Sequence, residues 1–490
     1  MKTSPLPLHA VIALAIAMQL ADLVPSLHAQ RQPLSAADSA LVGRILLAED
    51  QRDLTSETFA LGARHTDARI RMLSIRASGR ASDSAFAARD SLPPLPSPPV
   101  WPEPAWRLRY RALNQGRDDC SLLRAALADS AWTVRLRAAG LAPPACAADH
   151  VMMATLRGWA DSLPPDVTRR RSGSVSWHAA AHGLLALSRL QPAEARSRLE
   201  RFAAHSDRHL RLYAARAAAN LADSATLRRL ANDPDPNVRE SSIASLSALT
   251  GHTDDLLFIE ALQAGAPQVV RAAALALAGS PRAEARRAAD AAFQRWVERG
   301  NESERDVRIA LLAAAGRPAS DDRAPPAIHR LPPNAVAMAL GTDVRLRVAM
   351  AESSGGGSFD VRLRGDVAPM TAARILELAR TGYYDGLTWH RVEHDFVVQG
   401  GSRGHNEYVG LDGYFRDELG TVPHLRGTVG MSTRGHDTGD AQWFINLKDN
   451  LRLGRDYTVF AEVVEGIDVV DAILEGDIIE TITPIRDIRD

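Results

Sequence analysis

A chain of 490 residues is too long for one ordinary core, and about three domains is the expectation. Its 58 basic and 59 acidic residues leave a net charge of −1, so no global field points to nucleic acid or to acidic partners. Lysine occurs only at Lys2 and Lys448; because carboxylates balance the arginines throughout, the Arg excess reads as a coding bias rather than as phosphate recognition.

Residues 1–29 read as a secretory signal. Lys2 supplies a minimal positive start, and Ala10 to Ala21 is an apolar run too short to span a bilayer. Ser26-Leu27-His28-Ala29 ends on a small residue at the expected cleavage point, although Leu27 is larger than such sites prefer. A buried apolar helix is the competing reading. No Cys follows Ala29, which excludes bacterial-type lipidation there, and no later segment has the length and apolarity of a transmembrane span. The mature protein is therefore expected to be soluble and exported, periplasmic or secreted. In that oxidising setting Cys120 and Cys146, 26 residues apart, either pair or remain two buried thiols. Two cysteines alone do not make a metal site.

Internal similarity dominates residues 50–315. An aliphatic-Arg pair followed three residues later by a small or apolar residue keeps returning: Ile70-Arg71, Leu108-Arg109, Val134-Arg135, Leu210-Arg211, Val238-Arg239, Val270-Arg271 and Val307-Arg308. The later Arg-to-Arg steps are 28, 32 and 37 residues, and a degenerate unit around Val175 to Ala180 fills the widest gap. Pro or Asp opens the second helix of a pair, as in Asp233-Pro234-Asp235-Pro236-Asn237. The aliphatic residue enters the core, and Ala or Ser lets adjacent helices approach. This pattern predicts an all-α helical-hairpin solenoid and resembles HEAT repeats, with the arginines laddering between units as structural groups.

Ser91 to Pro102 is a Pro-rich interruption, read as a stiff inter-repeat loop. The domain boundaries that follow are 30–315 for the array, 316–339 for a Pro/Ala/Asp-rich linker and 340–487 for a C-terminal domain. There Val344 to Val348 and Phe359 to Leu363 alternate as strands, joined by the Gly355-Gly356-Gly357 tip. Thr371 to Arg380 and Gly466 to Leu474 are predicted helices. Two helices among many short strands suit a closed antiparallel barrel with helices capping its ends.

The most informative stretch is Trp389-His390-Arg391-Val392-Glu393-His394-Asp395-Phe396-Val397-Val398-Gln399-Gly400-Gly401. Alternation on a strand puts Val397 and Gln399 on one face, and Gln442 and Phe444 repeat the device some forty residues on. Apolar residues beside amides, with an arginine nearby, suit proline in a peptide. These residues resemble the cyclophilin family of peptidyl-prolyl cis/trans isomerases. Flanking blocks keep the family order, from Ala368-Pro369-Met370-Thr371 and Gly382-Tyr383-Tyr384-Asp385-Gly386 to Arg426-Gly427-Thr428-Val429-Gly430-Met431 and Tyr457-Thr458-Val459-Phe460. The resemblance covers the last third of the chain.

It implies an eight-stranded barrel, no cofactor, no metal, and proline-containing polypeptides as partners. Arg391, Phe396 and Gln399 are the implied catalytic residues. Val397, Phe396, Phe444 and Leu453 are the implied proline pocket. Gln399 and the Ser432-Thr433 backbone are implied to hold the substrate main chain, with Gln442 supporting Arg391 and Tyr457 standing where other members have His. Ser432 and Thr433 replace the commoner Ala-Asn. Arg452 stands where animal members carry the Trp that contacts cyclosporin, which implies weak drug binding. His390 is read as structural, His394 as a solvated loop residue, and no Ser or Asp here has a nucleophile-elbow context. The expected activity is an exported prolyl isomerase whose array binds a client or protein partner. The alternative is a catalytically weak proline-binding scaffold in which the array does the work.

Overall fold

The computed structural model describes residues 34–82, 97–164, 177–323 and 330–486. The secretory-signal reading of residues 1–29, the first half of the Pro-rich interruption and Val175 lie outside the described residues.

Helical hairpins run from Ala36 to Ala315. Asp67, Asp207 and Asp235 sit in non-helical backbone ahead of the helices Ala68–Ala81, Arg208–Asn220 and Pro236–Thr250. Each carboxylate accepts an orphan N–H of the first turn, from Arg69, His209 and Asn237 respectively. Pro192, Pro236 and Pro267 stand at first helical positions, where the missing N–H has no helical partner anyway. Small residues let the axes close: a Cβ on Gly183 would lie 2.8 Å from the backbone nitrogen of Ala160. The helices Trp177–Leu190, Arg208–Asn220, Pro236–Thr250, Pro267–Leu277 and Arg305–Ala315 stack side by side as one layer.

The recurrent arginines cross-link this array in two ways. Arg109 pairs with Asp129 at 2.6 Å and Arg211 with Asp233 at 2.8 Å, each in the loop leading into the next helix of the layer. Arg71 and Arg239 instead donate to loop carbonyls. Arg271 leaves the ladder altogether, its guanidinium lying 3.5 Å from the centroid of the Tyr408 ring in the sheet domain. Cys120 and Cys146 form a disulfide, with Cα atoms 5.4 Å apart.

The sheet domain contains β1 (Val344–Met350), β2 (Ser358–Leu363), β3 (Arg391–Val392), β4 (Val397–Gly400), β5 (Thr428–Met431), β6 (Trp443–Asn446), β7 (Val459–Glu465) and β8 (Ile479–Arg486). All pairings are antiparallel, in the spatial order β3-β4-β6-β5-β7-β2-β1-β8. The closed barrel expected from sequence is corrected here to a curled half-barrel. Strand β3 has two residues and pairs with β4 alone, so among the described residues no ladder joins it to β8. The two ends approach through the Thr388↔Ile478 bridge. Helices Pro369–Arg380 and Ile467–Ala472 flank the sheet as expected. Ala368 has no side-chain oxygen with which to cap the first of them. Glu418 does so from a distance, accepting from the N–H groups of Met370 and Thr371 at 3.2 and 2.8 Å.

The apolar cores divide differently from the chain. One spans Tyr110 to Ala314. The other joins the sheet's inner face to the first three helices, so that Ile45, Leu46, Ile70 and Ala77 share a core with Leu376, Val429 and Phe460. Ala335–Ala339, within the stretch read as a linker, forms a short helix whose Met338 is buried in that same core. The stacked layer is turned toward the sheet domain, helix by helix. His178 donates to the Glu475 carbonyl, Tyr213 to the Glu475 carboxylate, and Asn237 to the Gly404 carbonyl. Asp306 pairs with Arg434 at 2.6 Å. Arg107, with no exposed surface, donates to the carbonyls of His394 and Leu447 and to Asp471. Arg426 binds the same Asp471, so one carboxylate serves two buried cations.

Candidate active site

Register builds the site. Arg391 lies opposite Gln399 across the β3–β4 pair, and Gln399 lies opposite Phe444 across β4–β6. Directly opposed residues share a face, so Arg391, Gln399 and Phe444 form a row, with Val397 two residues along. The turn between β3 and β4 is closed by the Glu393 N–H donating to Val397 and the Phe396 N–H donating to Glu393, at 2.9 and 2.7 Å.

Gln399 is buried and held from two sides. Its amide nitrogen donates to the Ser432 hydroxyl at 2.9 Å and reaches Gln442 Oε1 at 3.5 Å, which fixes its oxygen to accept from Arg391 Nη1 at 3.3 Å. Gln442 is anchored in turn on the Glu407 carbonyl. Gln442 therefore supports Arg391 through Gln399 rather than by direct contact. The remaining edge of the guanidinium binds Glu393 Oε1, from Nε at 2.9 Å and Nη2 at 2.5 Å, in a pair about half exposed.

Beside this row is an apolar cluster. Val397, Phe444 and Leu453 are buried together, with Phe396 and Tyr457 packed at the edge. Tyr457 meets Phe444 edge-on at 5.6 Å, and the Arg452 guanidinium lies 4.9 Å from the Phe396 ring centroid. Gly430 is required beneath: a Cβ there would come within 2.4 Å of Phe444 Cζ. Thr433 and Ser432 stand half-buried at the rim. The Ser432 N–H is already taken by the Gln442 carbonyl at 2.9 Å, so this backbone offers a substrate fewer groups than sequence implied.

Sequence reasoning missed His424. Its ring stacks on Phe444 with centroids 5.8 Å apart, while Nε2 donates to the Tyr457 carbonyl and Nδ1 faces Asn446 Nδ2. Burial pushes its pKa down, which keeps the ring neutral as that arrangement needs. No local motif marks it. His394 is also corrected: rather than solvated, it is packed edge-on to Trp106 and Tyr110 of the array at 5.9 and 6.0 Å. Burial pushes its pKa down to about 3. His390 likewise falls to about 3 on burial and stays neutral.

The cyclophilin type peptidyl-prolyl cis-trans isomerase family matches residues 347–489, and HEAT repeats match residues 196–279. A peptidyl-prolyl cis-trans isomerase of Helicobacter pylori is 37% identical over 130 residues, spanning 26% of this chain and 80% of that protein. The chain belongs to the cyclophilin-type isomerases. Peptidyl-prolyl cis-trans isomerase B of Bacillus subtilis is 35% identical over 130 residues, 26% of this chain and 90% of that relative. A solved isomerase of the same type from Cryptosporidium parvum aligns with 30% of this chain and 99% of its own at 21% identity, with a TM-score of 0.28. The isomerase domain is thus the C-terminal sheet domain, preceded by a helical region that contains HEAT repeats.

Proposed function

We propose that Arg391 is the group that accelerates X-Pro rotation, and that the enzyme works on exported protein clients. Rotation faces a barrier of about 18–20 kcal/mol because amide resonance is lost on twisting. In the twisted state the prolyl nitrogen becomes pyramidal and accepts a hydrogen bond that the planar amide cannot. A donor that never deprotonates near neutrality stabilises that state selectively. The observation that carries this reading is the guanidinium of Arg391, oriented by Gln399 beside the apolar cluster of Val397, Phe444 and Leu453. The pyrrolidine ring suits an apolar cluster of this kind, and the buried amides of Gln399 and Gln442 sit where the peptide backbone must pass. No nucleophile or proton transfer is needed.

Glu393 tests how the arginine is held. Its exposed pair with Arg391 is worth about 0.2–1 kcal/mol. Glu393→Ala is expected to lower kcat/KM on a proline peptide by no more than about fivefold, the rate equivalent of 1 kcal/mol. A larger loss would make Glu393 a principal orienting group.

Export is supported by the sequence of residues 1–29 and by the Cys120–Cys146 pair, since disulfides persist in oxidising compartments. N-terminal sequencing of natively expressed protein, after fractionation, is expected to begin near Gln30 outside the cytoplasm; a start at Met1 in the cytosol would refute export. The array's role is contact with clients or a partner. Because its stacked layer already engages the isomerase domain of the same chain, that contact falls on the array's remaining surfaces or at the margin it shares with the active site.

A further inference from the structure

The array does not seal against the isomerase domain beside Arg391. A cleft of about 420 Å³ opens there, in the size range of ligand sites. Its walls are the helices Arg208–Asn220 and Pro236–Thr250 on the array side, and Thr388 to Arg391 with His405 to Glu407 on the other. Arg391 is a wall of this cleft, and its guanidinium also lies 5.9 Å from the Phe396 ring at the edge of the apolar cluster. A polypeptide with its proline on that cluster extends beyond it on both sides, and the cleft adjoins the cluster at Arg391.

The lining is polar and its charges are unevenly matched. Arg208 lies 3.7 Å from Asp235 and Arg216 lies 3.7 Å from Glu475, so two of the cations have carboxylates. Glu240 and Glu407 form no ion pair among the described residues. Among the described residues Glu240 accepts from the Asn406 amide, at 2.6 Å, and Arg271, the cation whose charge acts on it, is packed on the Tyr408 ring. A partly buried carboxylate left in this way is matched when a guest supplies the cation. The His390 ring stands at the cleft wall, neutral because burial pushes its pKa down.

We propose that this cleft is a subsite for client residues flanking the proline, and that Glu240 of the array selects a lysine or arginine side chain there. The proposal rests on reading Arg391 as the rotation donor. Burial pushes the Glu240 carboxyl up to about 7, largely through desolvation, and a guest cation would return it to its charged form. A negatively charged guest would meet Glu240 and Glu407 together and be rejected. In this arrangement the array is part of the enzyme's specificity rather than a separate adaptor.

The test uses the full chain and Ala-Pro peptides carrying Lys, Ala or Glu at one flanking position at a time. Wild type is expected to favour Lys over Glu at one such position by about tenfold or more in kcat/KM, the size expected of a hydrogen bond to a charged group. Raising salt from about 0.05 to 0.5 M should shrink that ratio. Glu240→Gln, which keeps an acceptor for Asn406, should bring it below about twofold while leaving the all-Ala peptide unchanged. Absence of a Lys preference in wild type, or its persistence in Glu240→Gln, would overturn the subsite. The salt series on wild type decides the matter even where the variant fails to fold. Failure of wild type on the all-Ala peptide would instead remove the Arg391 reading on which the subsite stands.

Discussion

Arg391→Ala is expected to abolish most isomerase activity while leaving the melting temperature within a few degrees of wild type. The side chain is about two-fifths exposed and its partners are the exposed Glu393 and the amide of Gln399, which keeps its contacts to Ser432 and Gln442. Little folding energy depends on it. The transition state does depend on it, because a preorganised donor aimed at a developing lone pair is typically worth about 10²–10³ in rate. Kinetics on a proline peptide by full-length wild type and variant, with melting curves for both, make the check. Activity within twofold of wild type would sink the mechanism. Arg391→Lys should recover only part of the loss, since an ammonium cannot bind Gln399 and the prolyl nitrogen with the same planar fork.

The site was legible in sequence to the extent that it is local. Arg391, Phe396, Val397 and Gln399 lie within one hairpin, and the period of two that places Val397 and Gln399 on one face is carried by the strand itself. Phe444 and Gln442 were readable because they repeat that pattern on β6 and its approach. His424 was not, since its role comes from stacking on Phe444 and bonding to Tyr457, contacts that exist only after β5, β6 and β7 assemble. Barrel closure was overread for a related reason. The alternation predicts strands, but whether the ends pair depends on the length of β3, and two residues do not make a ladder.

The relation between array and isomerase domain was invisible for the same physical cause on a larger scale. Arg107 and Asp471 are separated by 364 residues, and Asn406 and Glu240 by 166. Nothing in the repeat motif distinguishes Arg271, packed on Tyr408, from Arg211, paired within the array. The repeat periodicity specified how the helices stack; it carried no information about what their open side would meet.

Val238→Asp is expected to separate the two cores. Val238 is fully buried in the helix that stacks between Arg208–Asn220 and Pro267–Leu277, and its neighbours are the apolar residues of the array core. A carboxylate there enters an apolar core, and the cost is about 4–5 kcal/mol, comparable with the whole stability of many domains. Among the described residues between Ala81 and Ala335, only Trp101 and Leu331 pack against the sheet's core, so it does not depend on Val238. It does depend on the first three helices, so a fragment beginning at 330 is not the expected survivor. Limited proteolysis should cut the variant within 105–323 and leave the flanking N-terminal and C-terminal pieces associated through Ile45, Ile70 and their partners. Asp471 keeps Arg426 when Arg107 is lost, so the domain's buried carboxylate is not orphaned. The nicked protein should still turn over the all-Ala peptide but no longer distinguish Lys from Glu beside the proline, because Glu240 has gone with the array. Loss of both activities in one transition would show that the two cores melt as a single unit.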